Sequence, residues 1–278
     1  MNTIKGPKKA SLSAEEGTQP EAIPSPSGRG LGRGLILLML ICWLGLSATQ
    51  AMTPLPKGVI AEDSPQGLEL MSRTSRSPYF WQLEQQFVTQ DNLTYCSIAS
   101  SVMVLNALGI PGPTDRNYGP YHIFTQQNFF TPSVEKILPK ALVQKQGATL
   151  NQIAEALSTF KVKVTVIHAT ESTEADFKRV ATSAMKQGDG YIIVNFLRTA
   201  LGQTGGGHMS PLAAYDKQTD RFLVLDVSRY RYPPVWVKTR DIWKAMNTYD
   251  EGAKAYRGFI RVQKVSRVSV GTFKDPHE

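Results

Sequence analysis

At Val162 the hydrophobic period of this chain changes, and that change limits the folds open to it. Up to Phe160 apolar residues recur mainly at helical spacing; beyond Val162 they alternate or run without interruption. VKVTVIH (162–168) alternates as a strand, a helix is predicted from about 173 to 186 with Gly188 ending it, and YIIVNFL (191–197) has the continuous apolar run of a central strand. A helical half followed by an antiparallel β half makes this an α+β chain.

The helical half centres on QDNLTYCSIASSVMVLNALGI, residues 90–110. Ile98, Val102, Leu105 and Leu108 lie at helical spacing, Ser97, Ala99, Ser100 and Ser101 keep the first turns slim, and Gly109, Pro111 and Pro113 stop the helix. Cys96 therefore falls at a helix start, where unpaired N–H groups and the macrodipole favour thiolate over thiol. Taken alone, a buried cysteine is more often a small core residue, so partners elsewhere in the chain must decide. Around it, residues 52–78 read as an extended arm, Trp81–Val88 as a short helix, 114–139 as loops with one short helix, and Thr149 with Gln152 as a capping box opening a helix through Phe160.

The first 51 residues have a different character. Residues 1–33 are rich in Gly, Pro, Ser and charge, a composition that does not build a core. LILLMLICWLGL (35–46) follows Arg29 and Arg33 and leads into SATQA, ending at Ala51. That is the layout of a signal peptide, and the apolar run is short for the roughly 20 residues of a spanning helix. The expectation is an exported, periplasmic or otherwise extracytoplasmic protein beginning near Met52, with an uncleaved anchor as the other outcome. Cys42 lies inside the apolar run, so a cleaved chain keeps Cys96 as its single cysteine and has no internal disulfide.

The formal net charge of +8 is spread along the chain with no basic helix and no zinc-finger spacing, which argues against nucleic acid. The β half supplies the partners that Cys96 needs. GQTGGGHMSPLAAYD (202–216) places three glycines before His208, letting another group approach the backbone closely. A turn at DKQTDR (216–221) then leads into FLVLDVSRYRYPP. A hairpin folded there puts His208 and Asp226 on neighbouring antiparallel strands, within about one to three residues of being opposite. A carboxylate so placed holds an imidazole in one tautomer and stabilises its charged form. Cys96, His208 and Asp226 form the pattern of a thiol acyl-transfer enzyme. His122 and His168 have no partner motif and read as structural.

QDNLTYCSIASSVMVLNALGI, GQTGGGHMSPLAAYD, LVLDVSRYRYPPVWV and IWKAMNTYDEGAKAYRGF together resemble the catalytic domain of phytochelatin synthases, most closely the short prokaryotic members. The resemblance covers residues 79–265, leaving 266–278 as a tail. It implies a papain-like fold and a glutathione γ-glutamylcysteinyltransferase, which attacks the Cys–Gly bond of glutathione, releases glycine and holds γ-glutamylcysteine as a thioester. It implies Cys96 as nucleophile, His208 as general base and then acid, Asp226 as the group orienting it, and Gln90 as an oxyanion-hole donor. Asp250 and Arg257 fall at the positions that hold the γ-glutamyl end, whose ammonium and carboxylate suit a carboxylate and a guanidinium. Gly207 and Tyr95, beside the catalytic residues, are the remaining candidate substrate contacts.

Plant members carry a further Cys-rich domain linked to metal sensing, whereas no cysteine follows Cys96 here. The expectation is hydrolysis of glutathione to γ-glutamylcysteine, with transfer to short phytochelatins as a side reaction. No cofactor bound by the protein is expected, and cadmium or zinc would enter as a thiolate complex of the substrate. Glutathione is the expected partner, with the membrane reached only through an uncleaved anchor, and a homodimer stays open. Two other readings remain. An exported papain-like peptidase of ordinary peptides would have no use for the Asp250 and Arg257 clamp. A non-catalytic thiol- or metal-binding protein using Cys96 and His208 would fall short of the four ligands of a closed site.

Overall fold

A computed structural model describes residues 53–265. The expected leader at 1–51, including Cys42, and the expected tail at 266–278 lie outside the described residues. In chain order the elements are β1 (Ile60–Ala61), α1 (Pro65–Thr74), α2 (Pro78–Glu84), α3 (Cys96–Ala107), α4 (Pro132–Ile137), α5 (Lys140–Gln146), α6 (Leu150–Leu157), β2 (Val162–His168), α7 (Glu174–Gln187), β3 (Gly190–Leu197), β4 (Gly207–Asp216), β5 (Arg221–Val224), β6 (Val235–Lys238), α8 (Thr239–Met246), β7 (Tyr249–Asp250), β8 (Ala255–Tyr256) and β9 (Gly258–Lys264). Six helices precede the main run of strands, as the change of period implies.

Seven strands form one sheet in the order β1-β6-β5-β4-β3-β9-β2, each neighbouring pair antiparallel. Tyr191 and Ile193 of β3 pack with α3, while Ile192, Val194 and Phe196 pack with α7 and α8 on the opposite face. A strand covered on both faces has no polar side, which explains its continuous apolar sequence. Residues 97–105 of α3 are all buried. The small side chains of its first turns permit that enclosure: Ser100 Oγ lies 2.7 Å from Cys96 O and 3.1 Å from Met209 O, its one proton shared between them, which ties the first turn of α3 to β4. The capping box of Thr149 and Gln152 is formed, and the boundaries of β2 match those predicted.

One irregularity in β4 matters for the site. Leu212 pairs with Val224 but Ala214 with Leu223, so Ala213 is an extra residue, a β-bulge. Leu212 faces the α7–α8 layer, while Ala213 and Ala214 both pack in the layer of α3.

The extended arm expected at 52–78 is corrected. It contains β1, the ten-residue helix α1 and the start of α2. Ser64 caps α1 by accepting from Gly67 N at 3.0 Å, and Pro65 occupies the first turn, where its missing N–H costs nothing. Gly67 lets the helix press on β1: a Cβ there would lie 2.0 Å from Ala61 O. Arg73 then anchors α1 to the sheet through Asp216, Nε to Oδ1 at 2.9 Å. The short helix expected at 81–88 lies earlier, opening at Pro78 behind the Ser77 cap.

Candidate active site

Cys96 is the first residue of α3 and reaches a cavity of about 220 Å3, which it lines with His208, Asn195, Gly207, Asp250 and Arg257, among others. His208 is the second residue of β4 and is buried. Its Nε2 lies 2.9 Å from Asp226 Oδ1 and 2.9 Å from Ser210 Oγ, which leaves the other side of the ring for Cys96 on the wall of the same cavity. Asp226 follows the end of β5, fully buried, where the hairpin was expected to bring it.

The electrostatics favour an ion pair. Burial pushes the Cys96 thiol up, but the His208 hydrogen bond and charge, with help from the Met209 backbone, outweigh it, so the thiol sits below its usual range. For His208 burial works downward, and the Asp226 charge and hydrogen bond, then Cys96, raise the imidazole above its usual range. Asp226 is held far below the carboxylate range despite its burial, by His208 first and Arg198 second. A lowered thiol beside a raised imidazole shifts the pair toward thiolate and imidazolium, the form in which a cysteine is reactive.

Gln90 is buried beside this group rather than on the cavity wall. Its backbone N–H donates to Val227 O at 2.9 Å, its Oε1 accepts from Ser228 Oγ at 2.7 Å, and its Nε2 donates to Asn92 O at 2.6 Å. One amide N–H remains uncommitted among the described residues. Asp250 and Arg257 form an ion pair on the cavity wall, Oδ2 to Nη2 at 3.2 Å. Arg257 Nη1 donates to Tyr249 O at 2.7 Å, while the buried Nε has no partner among the described residues. Gly207 lies against that guanidinium, where a Cβ would meet Nη2 at 3.2 Å. The close approach expected at the glycine run is thus made by arginine side chains: Arg257 at Gly207, and Arg231 with Arg198 at Gly205.

Tyr95 is placed differently from its expected role. Its ring is buried in the core against Phe130, with centroids 5.8 Å apart, and does not line the cavity. Preceding Cys96 by one residue turns its side chain to the core side. His168 is structural, with Nδ1 2.6 Å from Tyr256 O and Nε2 3.0 Å from Asn151 Oδ1, and His122 lies 3.0 Å from Gly112 O.

Four residues escaped the reading of the sequence. Arg198 grips Asp226 with both Nη atoms at 2.8 Å, and Ser210 and Ser228 hold His208 and Gln90. Asn195 is buried on the cavity wall with no side-chain hydrogen bond among the described residues. Its signal was present: Asn is the one polar residue in YIIVNFL.

The phytochelatin synthase family model matches residues 50–259, about three quarters of the chain. The chain belongs to the phytochelatin synthase family. Its relatives include glutathione gamma-glutamylcysteinyltransferase 3 of Lotus japonicus, 34% identical over 188 residues, which cover 68% of this chain and 38% of that protein. Glutathione gamma-glutamylcysteinyltransferase 2 of Arabidopsis thaliana is 31% identical, with 68% and 40% covered. The Schizosaccharomyces pombe glutathione gamma-glutamylcysteinyltransferase is 27% identical, with 75% and 50% covered. The chain thus spans about two fifths of the length of these plant relatives. Among solved structures, the interpain A cysteine protease of Prevotella intermedia superposes with a TM-score of 0.36 at 12% identity, over 68% of this chain and 90% of that one. Within this phytochelatin synthase family member, helices come first and an antiparallel sheet after, with Cys96 and His208 brought together from the two parts.

Proposed function

We propose that this phytochelatin synthase family member cleaves the Cys–Gly bond of glutathione through a γ-glutamylcysteinyl thioester on Cys96. The observation that carries the reading is one cavity lined by both the Cys96–His208 pair and the Asp250–Arg257 pair. A γ-glutamyl group ends in an ammonium and a carboxylate, and an anion beside a cation is complementary to both.

The Cys96 thiolate attacks the carbonyl carbon of the Cys–Gly bond. The oxyanion that forms takes hydrogen bonds from the free Gln90 amide N–H and the Cys96 backbone N–H; one such donor contributes about 2.7–4 kcal/mol to the transition state. The His208 imidazolium gives its proton to the departing glycine nitrogen, and the C–N bond breaks. Neutral His208 then takes a proton from water, or from the α-amino group of a second glutathione, as that nucleophile attacks the thioester carbonyl; the C–S bond breaks, Cys96 leaves as thiolate beside the imidazolium, and the product is γ-glutamylcysteine or a short phytochelatin. Asp226 keeps the imidazole in place through both steps. Gly207 sets the wall against which Arg257 stands.

In this reading hydrolysis leads and transfer is secondary, and cadmium or zinc enters only as a thiolate complex of the substrate. The apolar run at 35–46 supports export across a membrane.

The test incubates the full-length chain with glutathione, with and without cadmium, beside Cys96→Ala, and resolves products by mass spectrometry. Free glycine with γ-glutamylcysteine, absent from Cys96→Ala, is expected, and (γ-Glu-Cys)2-Gly measures transfer. Cleavage of ordinary peptides with glutathione untouched would overturn the reading.

A further inference from the structure

We propose that Arg198 is a positioning residue for the Cys96–His208 pair, fixing the Asp226 carboxylate that receives the His208 Nε2–H and setting, through its charge, the pH range over which the pair is ionised. The role has catalytic meaning on the acyl-transfer reading above, but the geometry behind it is independent of the substrate.

Arg198 lies in the 3-10 turn that ends β3, buried. Nη1 and Nη2 donate to Asp226 Oδ2 and Oδ1, each at 2.8 Å, and Nη1 also donates to Gln203 Oε1 at 2.8 Å. The guanidinium stands over the Tyr232 ring at 5.1 Å. With the Ser228 N–H at 2.9 Å and His208 Nε2 at 2.9 Å, both carboxylate oxygens of Asp226 are committed, so the group has no freedom to turn away from the imidazole. The backbone joins the same strand pair: Arg198 N donates to Gly206 O at 3.0 Å, two residues before His208. A side chain at Gly205 would lie 3.1 Å from Arg198 Cδ, so the glycine run makes room for this arginine.

The result is a line of alternating charges, Arg198, Asp226, His208 and Cys96, with no net charge. Other charged groups nearby are otherwise engaged. Arg231 lies across Gly205 and donates to Thr204 O, and Arg257 is paired with Asp250. On α8, which packs against the turn, Arg240 pairs with Asp241, and Lys244 is exposed.

A fixed cation makes every neighbouring site harder to protonate. Without it, the thiol keeps its proton to higher pH and so does the imidazolium, while His208 and the Ser228 N–H still hold Asp226 ionised. Both edges of the ion-pair range move in the same direction, a result that simple loosening of the fold does not produce.

The experiment measures iodoacetamide alkylation of Cys96 in the full-length chain against pH, resolved by peptide mass spectrometry, together with glycine release from glutathione. The parental rate rises once as the pair forms and again as the imidazolium loses its proton. In Arg198→Gln both rises are expected about one pH unit higher. Arg198→Lys keeps the charge without the two-pronged grip, so its rises stay in place while glycine release falls about tenfold. Unmoved or oppositely moved rises in Arg198→Gln would overturn the proposal, as would displaced rises or parental turnover in Arg198→Lys. If Arg198→Gln does not fold, Arg198→Lys decides by the same criteria. If the parent releases no glycine, the glutathione reading fails and the alkylation profiles still decide the role of Arg198.

Discussion

Ser228 joins the two parts of the site: its hydroxyl donates to Gln90 Oε1 at 2.7 Å and its backbone N–H to Asp226 Oδ1 at 2.9 Å. The first bond fixes which way the amide faces, committing its oxygen to Ser228 and freeing an N–H for an oxyanion. Ser228→Ala removes the hydroxyl and keeps the backbone donor. A fall in kcat of about tenfold is expected, smaller than the ~10²–10³ for loss of the donor itself, with KM unchanged in steady-state glycine release. An unchanged kcat would mean that Asn92 alone orients Gln90.

The opposed effects on Cys96 and His208 predict a pH dependence. Burial alone would raise the thiol, and His208 reverses that; burial alone would lower the imidazole, and Asp226 with Cys96 reverses that. Both shifts run toward the ionised pair, which is populated where the thiol has lost its proton and the imidazole has kept its own. His208→Gln leaves Cys96 with the burial and without its main opponent, so the thiolate should form only above the ordinary thiol range. Alkylation at pH 7 is expected to slow by about tenfold or more. Coincident pH profiles for parent and variant would remove the ion pair from the mechanism.

Gly207 tests the proposed substrate clamp of Asp250 and Arg257. An alanine methyl would stand 3.2 Å from Arg257 Nη2 and 3.3 Å from Nε, displacing the guanidinium from Asp250 and narrowing the cavity. Gly207→Ala is expected to raise KM for glutathione about tenfold, roughly 1.4 kcal/mol, with a smaller change in kcat and an unchanged Tm. A KM equal to the parent's would exclude this wall from binding.

Gly67 tests the docking of α1 on β1. A Cβ there would lie 2.0 Å from Ala61 O and 2.3 Å from Glu62 O, both backbone atoms with little room to move. Gly67→Ala is expected to cost about 1–3 kcal/mol in urea unfolding and to leave kcat alone. Parental stability would show that the helix slides freely.

What was legible in the sequence followed from local rules. The α3 start, the capping box at Thr149, the full span of β2 and the hairpin that carries His208 to Asp226 each rest on residues close together in the chain. α1 was not legible, because a glycine in its first turn weakens any helical reading and its support comes from Ala61 and Asp216. Arg198 was hidden for a similar reason. An arginine after an apolar strand reads as a surface charge until the fold closes Asp226 over it. Tyr95 shows the converse: adjacency to Cys96 suggested a contact with substrate, and one step along the backbone turned the ring into the core.

The extra residue at Ala213 makes β4 two rulers joined out of phase. On one, His208, Ser210 and Leu212 share a face; on the other, Ala214 and Asp216 share the opposite one. Deleting Ala213 would leave plain alternation with every remaining residue on its present face, because Leu212 and Ala214 already face opposite layers and pair with consecutive residues of β5. The extra residue lets two positions an even number apart serve opposite faces of one strand, His208 turned to Asp226 and Asp216 to Arg73 of α1.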